Sequence, residues 1–346
     1  MPTHPPLLTV VMPCLNEEAA VGRAVESLAD EYVRENGEIL VVDGGSADRT
    51  AEIVRSLSEK YPVRLRHNPG KLQSIGLNIG IREARGRFLI RADAHCVYPP
   101  GYVRRCVEML AREDVFNAGG VMYPVGETAV QRAIARAMRH PLGVGDAKFH
   151  IGRYTGYAEG AYLGAFKREV FDLVGPYDPK AHPNEDSELN IRIAKSGRKI
   201  WLDGSLKVLY FPRASFGKLF RQYFKYGRGR CYTTLKHRRF TSPRQILPPF
   251  FVLGLAAALA LAPFFPVALA FPGAYGLAIL GVAFLSRPGE NGSRNQREKR
   301  SRSASRARER ADGAFGPKSR LLLARAFATM HLAWGLGFLS RLAWNK

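Results

Sequence analysis

Cysteine is scarce in this sequence, and its few cysteines form no metal-binding or redox pair. The four cysteines (Cys14, Cys96, Cys106 and Cys231) include no C-x-x-C spacing, which excludes the common zinc and dithiol motifs. We therefore expect reduced thiols in a cytosolic compartment. Residues 1–9 also lack a basic start followed by a long apolar run, so we expect no signal peptide ahead of the first strand.

Acidic residues are few compared with basic ones. The chain of 346 residues carries 52 Lys and Arg against 30 Asp and Glu, a formal net charge of +22. This excess predicts an anionic partner, either nucleic acid, a phosphorylated ligand or acidic lipid. The length suits one large domain with an appendage, or two domains.

Charged residues are absent altogether from Ile246 to Leu285. A bilayer span needs about 20 apolar residues, so this stretch is long enough for two spans. Pro263, Pro266 and Pro272 lie near its middle, where the turn of a helical hairpin would fall. The alternative is a buried hairpin in a soluble core, which the missing polar face disfavours.

The chain after this hairpin changes composition twice. Residues 286–320 are rich in Ser and Arg without apolar periodicity, which predicts a flexible basic loop. Residues 321–344 are apolar again but contain Arg325, His331 and Arg341, so they form either a third span or an interfacial helix. Nucleic-acid binding by the basic loop is disfavoured because the sequence has no zinc pattern and no recognition-helix signal.

Lysine and arginine flank both ends of the hairpin. Basic flanks are typical of the cytoplasmic side, so we expect a multi-pass protein of the plasma membrane with residues 1–240 in the cytosol. Residues 241–346 form the membrane region in this division. Part of the excess positive charge would then face anionic lipid.

Residues 1–240 alternate between apolar strands and amphipathic helices. "LLTVVMPCLNEE", "GEILVVDGGSADRT" and "GRFLIRADAH" each end an apolar run with polar residues. This alternation predicts parallel pairing in a doubly wound α/β sheet, and ligands bind such sheets at the carboxyl ends of the strands.

Three polar clusters fall at those predicted strand ends, which together predict a site. They are Asn16-Glu17, the segment 43–46 and Asp93-Ala94-His95. "DGGSADRT" has neither Walker nor G-x-G-x-x-G spacing, so Asp43 would instead accept hydrogen bonds from a base or ribose. Two of the clusters also have a purely structural interpretation. Ser46 or Asp48 would cap the next helix, and "RADAH" would be a strand end that meets water, or His95 would cap the next turn.

Five segments resemble family 2 inverting glycosyltransferases in order and spacing. They are "VVMPCLNEE", "VVDGGSADRT", "NPGKLQSIGLNIGI", "ADAH" and "NEDSELNIRIAKSGRKI". The resemblance covers residues 8–230 and implies a GT-A fold, a doubly wound mixed sheet. The "DAH" form and the C-terminal hairpin look most like the ExoA-type branch of succinoglycan biosynthesis, which adds glucose from a UDP donor to a lipid-linked sugar.

The resemblance implies a donor site at the first two strand ends. It assigns the nucleotide to Pro13, Asn16, Glu17 and Asp43 and, at a position where the family often has a basic residue, to Lys71. A solvated helix start is an equal reading for Lys71.

The family's D-x-D motif holds a divalent cation. Here Asp93 matches the first Asp of the motif, and His95 stands in place of the second. An Asp and a His suit Mn²⁺ better than Mg²⁺, which prefers oxygen ligands. The departure leaves open whether His95 contacts the metal or the donor sugar.

The resemblance also implies an acceptor side with a general base. The family places its base at the second residue of the "ED" pair, here Asp186, with Glu185 as an orienting or acceptor contact. From the residues alone, acids at a helix start are usually caps or dipole partners.

Two further segments belong to the acceptor side in this comparison. Gly160 and Gly164 would allow close backbone approach. Gln222, Lys225 and Tyr226 copy the spacing of the processive members' Q-x-x-R-W motif with substitutions, which predicts a lid or acceptor platform. Arg228 and Arg230 would meet a diphosphate or lipid phosphate, although a basic amphipathic helix on the membrane surface explains the segment equally well.

The expected function is therefore transfer of a hexose from a UDP-sugar to a hydroxyl of a lipid-linked saccharide, with glucose as the expected hexose. The expected partners are the membrane and other glycan-assembly enzymes of exopolysaccharide or surface-glycan synthesis, without nucleic acid. Two alternatives stay open: a polyprenyl-phosphate glycosyltransferase, and a membrane scaffold with an inactive transferase domain.

Overall fold

The computed structural model describes residues 6–152, 154–238, 245–286 and 316–344. Most of the predicted basic loop, residues 287–315, therefore lies outside the described residues. The chain divides into two compact units, Met1–Tyr123 with Lys148–Tyr210, and Pro124–Ala147 with Phe211–Lys346. The predicted division at residue 240 stays a prediction.

The first unit contains a mixed β-sheet of nine strands in the described residues. Strand β3 lies at one edge, and the order runs β3-β2-β1-β4-β8-β6-β9-β5, with β7 paired to β9. The strands are β1 Leu8–Cys14, β2 Gly37–Asp43, β3 Val63–His67, β4 Phe88–Arg91, β5 Cys96–Val97, β6 Val115–Pro124, β7 Gly156–Tyr157, β8 Tyr162–Lys167 and β9 Lys199–Tyr210.

Strands β1 to β4 pair in parallel, and β8 joins β4 in the antiparallel direction. Strand β6 is antiparallel to β8, so β6 runs in the same direction as β4. The predicted alternation of strand and helix over the first 100 residues is confirmed, as is the mixed GT-A-type sheet.

Helices alternate with the strands of this unit along the chain. They are α1 Val21–Leu28, α2 Glu31–Asn36, α3 Thr50–Ser58, α4 Gln73–Glu83 and α5 Tyr102–Leu110, and, after residues 124–147, α8 Lys148–Ile151, α9 Glu169–Val174 and α10 Glu185–Lys195. The core of the unit includes Leu40, Leu77, Phe166 and Leu189, each almost fully buried.

Helix α4 lies against β1 at very close range. A Cβ at Gly80 would come within 2.1 Å of Val11 Cγ1, so the helix backbone sits directly on the strand. This contact fixes the helix that follows the third strand and therefore fixes Gln73 at its start.

The second unit is helical in its described residues. It contains α6 Ala129–Ala137, α7 Pro141–Val144, α11 Phe216–His237, α12 Leu247–Leu261, α13 Ala270–Leu285 and α14 Pro317–Ala343. Thr128 caps α6 through a capping box with Gln131, the arrangement that satisfies two backbone donors at once.

Two of these helices are long and apolar enough to cross a membrane by length and composition, Pro266–Leu285 and Pro317–Ala343. The first arm of the predicted hairpin, α12, has 15 residues and is about 22 Å long, shorter than the roughly 30 Å of a bilayer core. The turn of the hairpin includes Pro263 and Pro266, whereas Pro272 lies inside α13.

Helices α11 and α14 lie side by side and run in the same direction. Arg325 stacks its guanidinium 4.5 Å from the Phe216 ring, and Arg341 lies 5.4 Å from the Tyr232 ring. Between these contacts, a Cβ on Gly227 would come within 2.0 Å of the Trp334 carbonyl oxygen. The two helix backbones therefore touch where glycine leaves room.

Candidate active site

The carboxyl ends of β1, β2 and β4 meet at one edge of the sheet. Cys14, Asp43 and Arg91 are the last residues of these three strands. The polar clusters of the sequence follow each strand directly, so parallel pairing brings them to a common edge as predicted.

Hydrogen bonds join the loop after β1 to the loop after β2. The Asn16 backbone N–H donates to Ser46 Oγ at 2.8 Å, and Asn16 Oδ1 accepts from the Ala47 backbone N–H at 2.8 Å. Asn16 has a φ of 55°, a left-handed conformation that asparagine tolerates better than most residues. Glu17 is held in the same way, because its backbone N–H donates to Thr50 Oγ1.

Asp43 is buried and faces its own turn. Its carboxylate accepts hydrogen bonds from the backbone N–H groups of Gly45 and Ser46. The carboxylate therefore shapes the loop that follows β2. Ser46 and Asp48 are the two predicted caps of the next helix. Asp48 Oδ1 accepts from the Thr50 backbone N–H at the start of α3, whereas Ser46 bonds to Asn16.

Pro13 and Lys71, the other two residues assigned to the nucleotide, differ in exposure. Pro13 is buried within β1, opposite Val42 of β2. Lys71 is exposed, with a φ of 57°, just before α4. It lies beyond the carboxyl end of β3 and hence at the same edge of the sheet as Asp43.

Asp93, His95 and Cys96 bring potential ligand atoms within 4.8 Å of one another. His95 Nδ1 also lies 3.2 Å from Glu17 Oε1, which adds a second carboxylate from the loop after β1. Burial raises the pKa of the Cys96 thiol, and Cys96 Sγ is 3.3 Å from the Tyr162 hydroxyl. The oxygen and nitrogen donors of Asp93 and His95 are ligand types that suit a divalent cation.

The Asp93 carboxylate is held from two sides. Gln73 Nε2 donates to Asp93 Oδ1 at 2.8 Å, and Arg91 NH2 lies 3.6 Å from the same oxygen. Both of these contacts are made to Oδ1 and not to the second carboxylate oxygen, Oδ2. The carboxylate is therefore oriented before any ligand arrives.

Arg91 contacts carboxylates from two different elements. Besides Asp93 after β4, it ion-pairs with Asp186 through NH1 and lies 3.6 Å from Glu185 Oε1, both at the start of α10. Only 6% of the Arg91 side chain is exposed. Burial acts to lower the pKa of Arg91, but the charges of Asp93 and Glu185 outweigh it and raise that pKa.

Glu185 and Asp186 differ sharply in exposure. The Glu185 side chain is 2% exposed, whereas that of Asp186 is 42% exposed. Burial acts to raise the pKa of Glu185, but the His182 ring and the Arg91 guanidinium outweigh it and hold that pKa below its ordinary value. Both residues lie in the first turn of α10 rather than ahead of it, and Asp186 is the one that a substrate can reach.

Gly160 and Gly164 lie close to side chains of the chain itself. A Cβ at Gly160 would come within 2.8 Å of Asn190 Nδ2, and one at Gly164 within 2.8 Å of Asn117 Oδ1. Gly164 also has a φ of 77°, which glycine adopts without strain. The close approach here is between parts of the protein, and an acceptor contact stays a prediction.

The other acceptor-side residues all lie on α11 of the second unit. Gln222 Nε2 donates to the Tyr226 hydroxyl at 2.8 Å. Lys225 is exposed, and Arg228 is partly buried. A role as lid or acceptor platform stays a prediction for these four residues.

Sequence reasoning missed Arg91 and Gln73. Arg91 stands in the quoted "RADAH", where the sequence indicates only the end of a strand. Nothing local indicates its contacts with Glu185 and Asp186, which lie 94 and 95 positions later. Gln73 reads as an ordinary first-turn residue of α4. Separation along the sequence hides the contact of Gln73 with Asp93 and the contacts of Arg91 with Glu185 and Asp186.

Residues 9–174 match the sequence model of Glycosyl transferase family 2. The chain belongs to this family of glycosyltransferases. It is 35% identical over 332 residues to the succinoglycan biosynthesis protein ExoA of Rhizobium meliloti (strain 1021), a match that covers 95% of this chain and 93% of the relative.

Two further similarities concern part of the sequence and the fold. Over 180 residues the chain is 31% identical to the undecaprenyl-phosphate 4-deoxy-4-formamido-L-arabinose transferase of Pseudomonas aeruginosa, which covers 49% of each chain. The mannosyltransferase PcManGT from Pyrobaculum calidifontis, solved in complex with GDP-Man and Mn²⁺, matches with a TM-score of 0.58 at 21% identity, covering 100% of this chain and 89% of that one. This second likeness supports the GT-A-type fold.

Proposed function

We propose that this glycosyltransferase moves a hexose, glucose for preference, from a UDP-sugar to a hydroxyl of a lipid-linked saccharide. The observation that carries the proposal is the cluster at one sheet edge, where Asp93 lies beside Arg91 and Arg91 contacts the half-exposed Asp186. The proposal takes Asp93 as the donor-side carboxylate and Asp186 as the acceptor-side carboxylate, and Arg91 contacts both. The family relationship to a protein of succinoglycan biosynthesis supports a role in exopolysaccharide or other surface-glycan synthesis.

In this proposal the loops after β1 and β2 bind the donor. Pro13, Asn16, Glu17 and Asp43 shape the nucleotide pocket, and Lys71 meets the phosphates from the exposed side. Asp93 and His95 would hold a divalent cation, Mn²⁺ or Mg²⁺, with Glu17 beside His95. When bound, such a cation stabilises negative charge on the departing diphosphate.

Asp186 is the proposed general base. Its carboxylate accepts the proton of the acceptor hydroxyl while that oxygen bonds to the anomeric carbon of the hexose. The bond between that carbon and the diphosphate oxygen breaks at the same time, and UDP leaves with the electron pair. A single displacement of this kind inverts the anomeric centre. Glu185 is buried and orients the start of α10.

The remaining predicted residues would serve the acceptor. Gly160 and Gly164 line the acceptor side of the first unit, and Gln222, Lys225, Tyr226 and Arg228 on α11 form a basic and aromatic platform. We propose that residues 1–240 act at the cytoplasmic face of the plasma membrane and that residues 241–346 attach them to it, the apolar hairpin crossing as multi-pass helices.

Polyprenyl phosphate is a second candidate acceptor. The observation that favours it is the 31% identity to an undecaprenyl-phosphate sugar transferase over 180 residues. In that reaction a phosphate oxygen takes the hexose, and no hydroxyl proton needs a base.

Membranes that contain the protein, supplied with radiolabelled UDP-sugars, test both acceptors. One reaction receives a lipid-pyrophosphate saccharide and the other receives polyprenyl phosphate. Transfer to the saccharide supports the first proposal, and transfer to the phosphate alone supports the second. If neither product forms and UDP-sugar is not hydrolysed either, the chain is a scaffold with an inactive transferase domain.

A further inference from the structure

Arg91 joins two parts of the candidate site that belong to different elements. Its guanidinium contacts Asp93, which follows β4, and Asp186, which begins the helix α10. Strand and helix are separated by more than 90 residues of sequence. The side chain of Arg91 is therefore a direct bridge between the donor side and the acceptor side.

Three carboxylates lie around the Arg91 guanidinium. Asp93, Glu185 and Asp186 all ion-pair with Arg91, and in the described part of the chain no other lysine or arginine forms an ion pair with them. Carboxylates this close repel one another in a region of low dielectric. Their arrangement consequently depends on where the guanidinium lies.

Arginine suits this position for a geometric reason. The planar guanidinium presents donors in several fixed directions, so it can contact separate carboxylates at once. In Arg91, NH2 faces Asp93 and Glu185, while NH1 faces Asp186. A lysine ammonium is a single point charge at the end of a flexible stem and cannot hold both directions.

We infer that Arg91 is a positioning residue that ties the carboxylate of Asp93 to that of Asp186 and so fixes the cation site relative to the base. The inference rests on the proposed function for the roles of these two aspartates. Arg91 itself is buried and does not meet a substrate. Loss of Asp186 leaves the guanidinium to Asp93 and Glu185, which strengthens its competition with a cation for Asp93.

The test measures Mn²⁺ affinity in the presence of UDP, by electron paramagnetic resonance on the full-length protein in detergent. Four chains are compared: the natural one, Arg91→Lys, Asp186→Asn and the double variant. Asp186→Asn should raise the Mn²⁺ dissociation constant about threefold or more in the natural background and less than about twofold in the Arg91→Lys background. Coupling of this size is usual for residues in contact.

Asp114→Asn is the matched control. Asp114 is 45% exposed and lies 4.0 Å from Arg112, much as the 42% exposed Asp186 pairs with Arg91. It precedes β6, which runs in the direction of β4, so it lies at the opposite edge of the sheet. Asp114→Asn should leave the Mn²⁺ dissociation constant within about twofold in both backgrounds.

Equal shifts by Asp186→Asn in the two backgrounds, or none in either, would overturn the inference. If Arg91→Lys does not fold, as judged by its melting temperature, the comparison of Asp186→Asn with Asp114→Asn in the natural chain decides. Equal Mn²⁺ affinities of those two variants would then overturn it. The Mn²⁺ measurement needs no transfer, so a natural chain that shows this coupling without transferring sugar contradicts the proposed function alone.

Discussion

Asp93 is the carboxylate on which the proposed donor side depends. We expect Asp93→Ala to abolish transfer and metal-dependent UDP binding, because the variant lacks the only carboxylate in the Asp93, His95 and Cys96 group. The first unit should stay folded, since Arg91 keeps Glu185 and Asp186 as partners. Calorimetric titration of UDP with and without Mn²⁺ checks the binding, and circular dichroism checks the fold. Normal turnover with the metal chelated would contradict the assignment.

Asp186 and Glu185 should respond differently to loss of charge. Asp186→Asn keeps the size of the side chain and, with Mn²⁺ at saturating concentration, should keep the affinity for UDP-sugar, but it should lower acceptor-dependent transfer about 100-fold or more, the usual worth of a general base. Glu185→Gln should lose less, because its buried carboxylate does not reach the acceptor.

The order of these two losses is the measurement that matters, and initial rates with saturating donor give it. An active Asp186→Asn beside an inactive Glu185→Gln would exchange the two roles. A collapse of donor affinity in Asp186→Asn would move that residue to the nucleotide side.

Glu185 should also make stability depend on acid. Its pKa in the folded protein is lowered from 4.5, so the unfolded chain binds a proton more readily and ionised Glu185 stabilises the fold at neutral pH. This stabilisation is complete above pH 4.5 and is lost as the pH falls through the folded value. The difference in melting temperature between the natural chain and Glu185→Gln should therefore be larger at about pH 7 than at about pH 4. A constant difference would contradict it.

The residues that could be predicted from sequence are those whose signal is local. Asp43 and Asp93 follow apolar runs, and parallel pairing of those runs brings them to one edge. Arg91 could not be predicted, because its role depends on α10 reaching the end of β4. This contact between α10 and the end of β4 is tertiary, and the local sequence of neither segment indicates it.

At the scale of the elements, α11 and α14 constrain where each of them can lie. The two helices run in parallel from the Phe216–Arg325 contact to the Tyr232–Arg341 contact, and α11 exposes Lys218, Arg221 and Lys225. If α14 crossed the bilayer, these lysines and the arginine would be drawn into hydrocarbon at about 2.5–3.5 kcal/mol each. Half of the apolar 18-residue stretch of α14 is also buried inside the protein, against 11% of the corresponding stretch of Pro266–Leu285.

We therefore expect α14 to lie in the interface, which chooses between the two readings that its sequence leaves open. A cysteine at Trp344, whose side chain is 77% exposed, should not react with an impermeant maleimide added to intact cells. The same label on a cysteine at Phe264, 77% exposed in the hairpin turn, is the positive control. Labelling at residue 344 would show that α14 spans.

The apolar composition of the C-terminal helices can be read from the sequence, but their lengths and partners cannot. Residues 246–285 lack charge, which predicts membrane helices without giving the 15 residues of α12. Nothing in residues 124–147 indicates that they pack with the second unit, because their short helices resemble any surface segment. Their partner, α14, is identified by contacts such as His331 Nε2 to the Leu142 carbonyl oxygen at 2.7 Å.

For the whole molecule, we expect both flanks of the hairpin on the cytoplasmic side. Cysteines placed at Arg238, which is exposed, and at Ser286 should escape the impermeant label, whereas one at Phe264 should react. The four natural cysteines are all buried, which keeps the background low. Reaction at residue 238 or 286 in intact cells would contradict this topology. The flanks named from sequence, near residues 240 and 300, lie outside the described residues.

The interleaved order of the two units has a consequence for synthesis. Synthesis of the first unit is complete at Tyr210. Helices α6 and α7 are synthesised about 180 residues before α14 begins. At 5–20 residues per second this is a wait of about 10–40 s. Through that interval, the surface that later receives Phe327 and Met330 lacks the helix that covers it. A nascent chain stalled before residue 317 would therefore carry a finished catalytic unit together with an apolar surface exposed to chaperones and proteases.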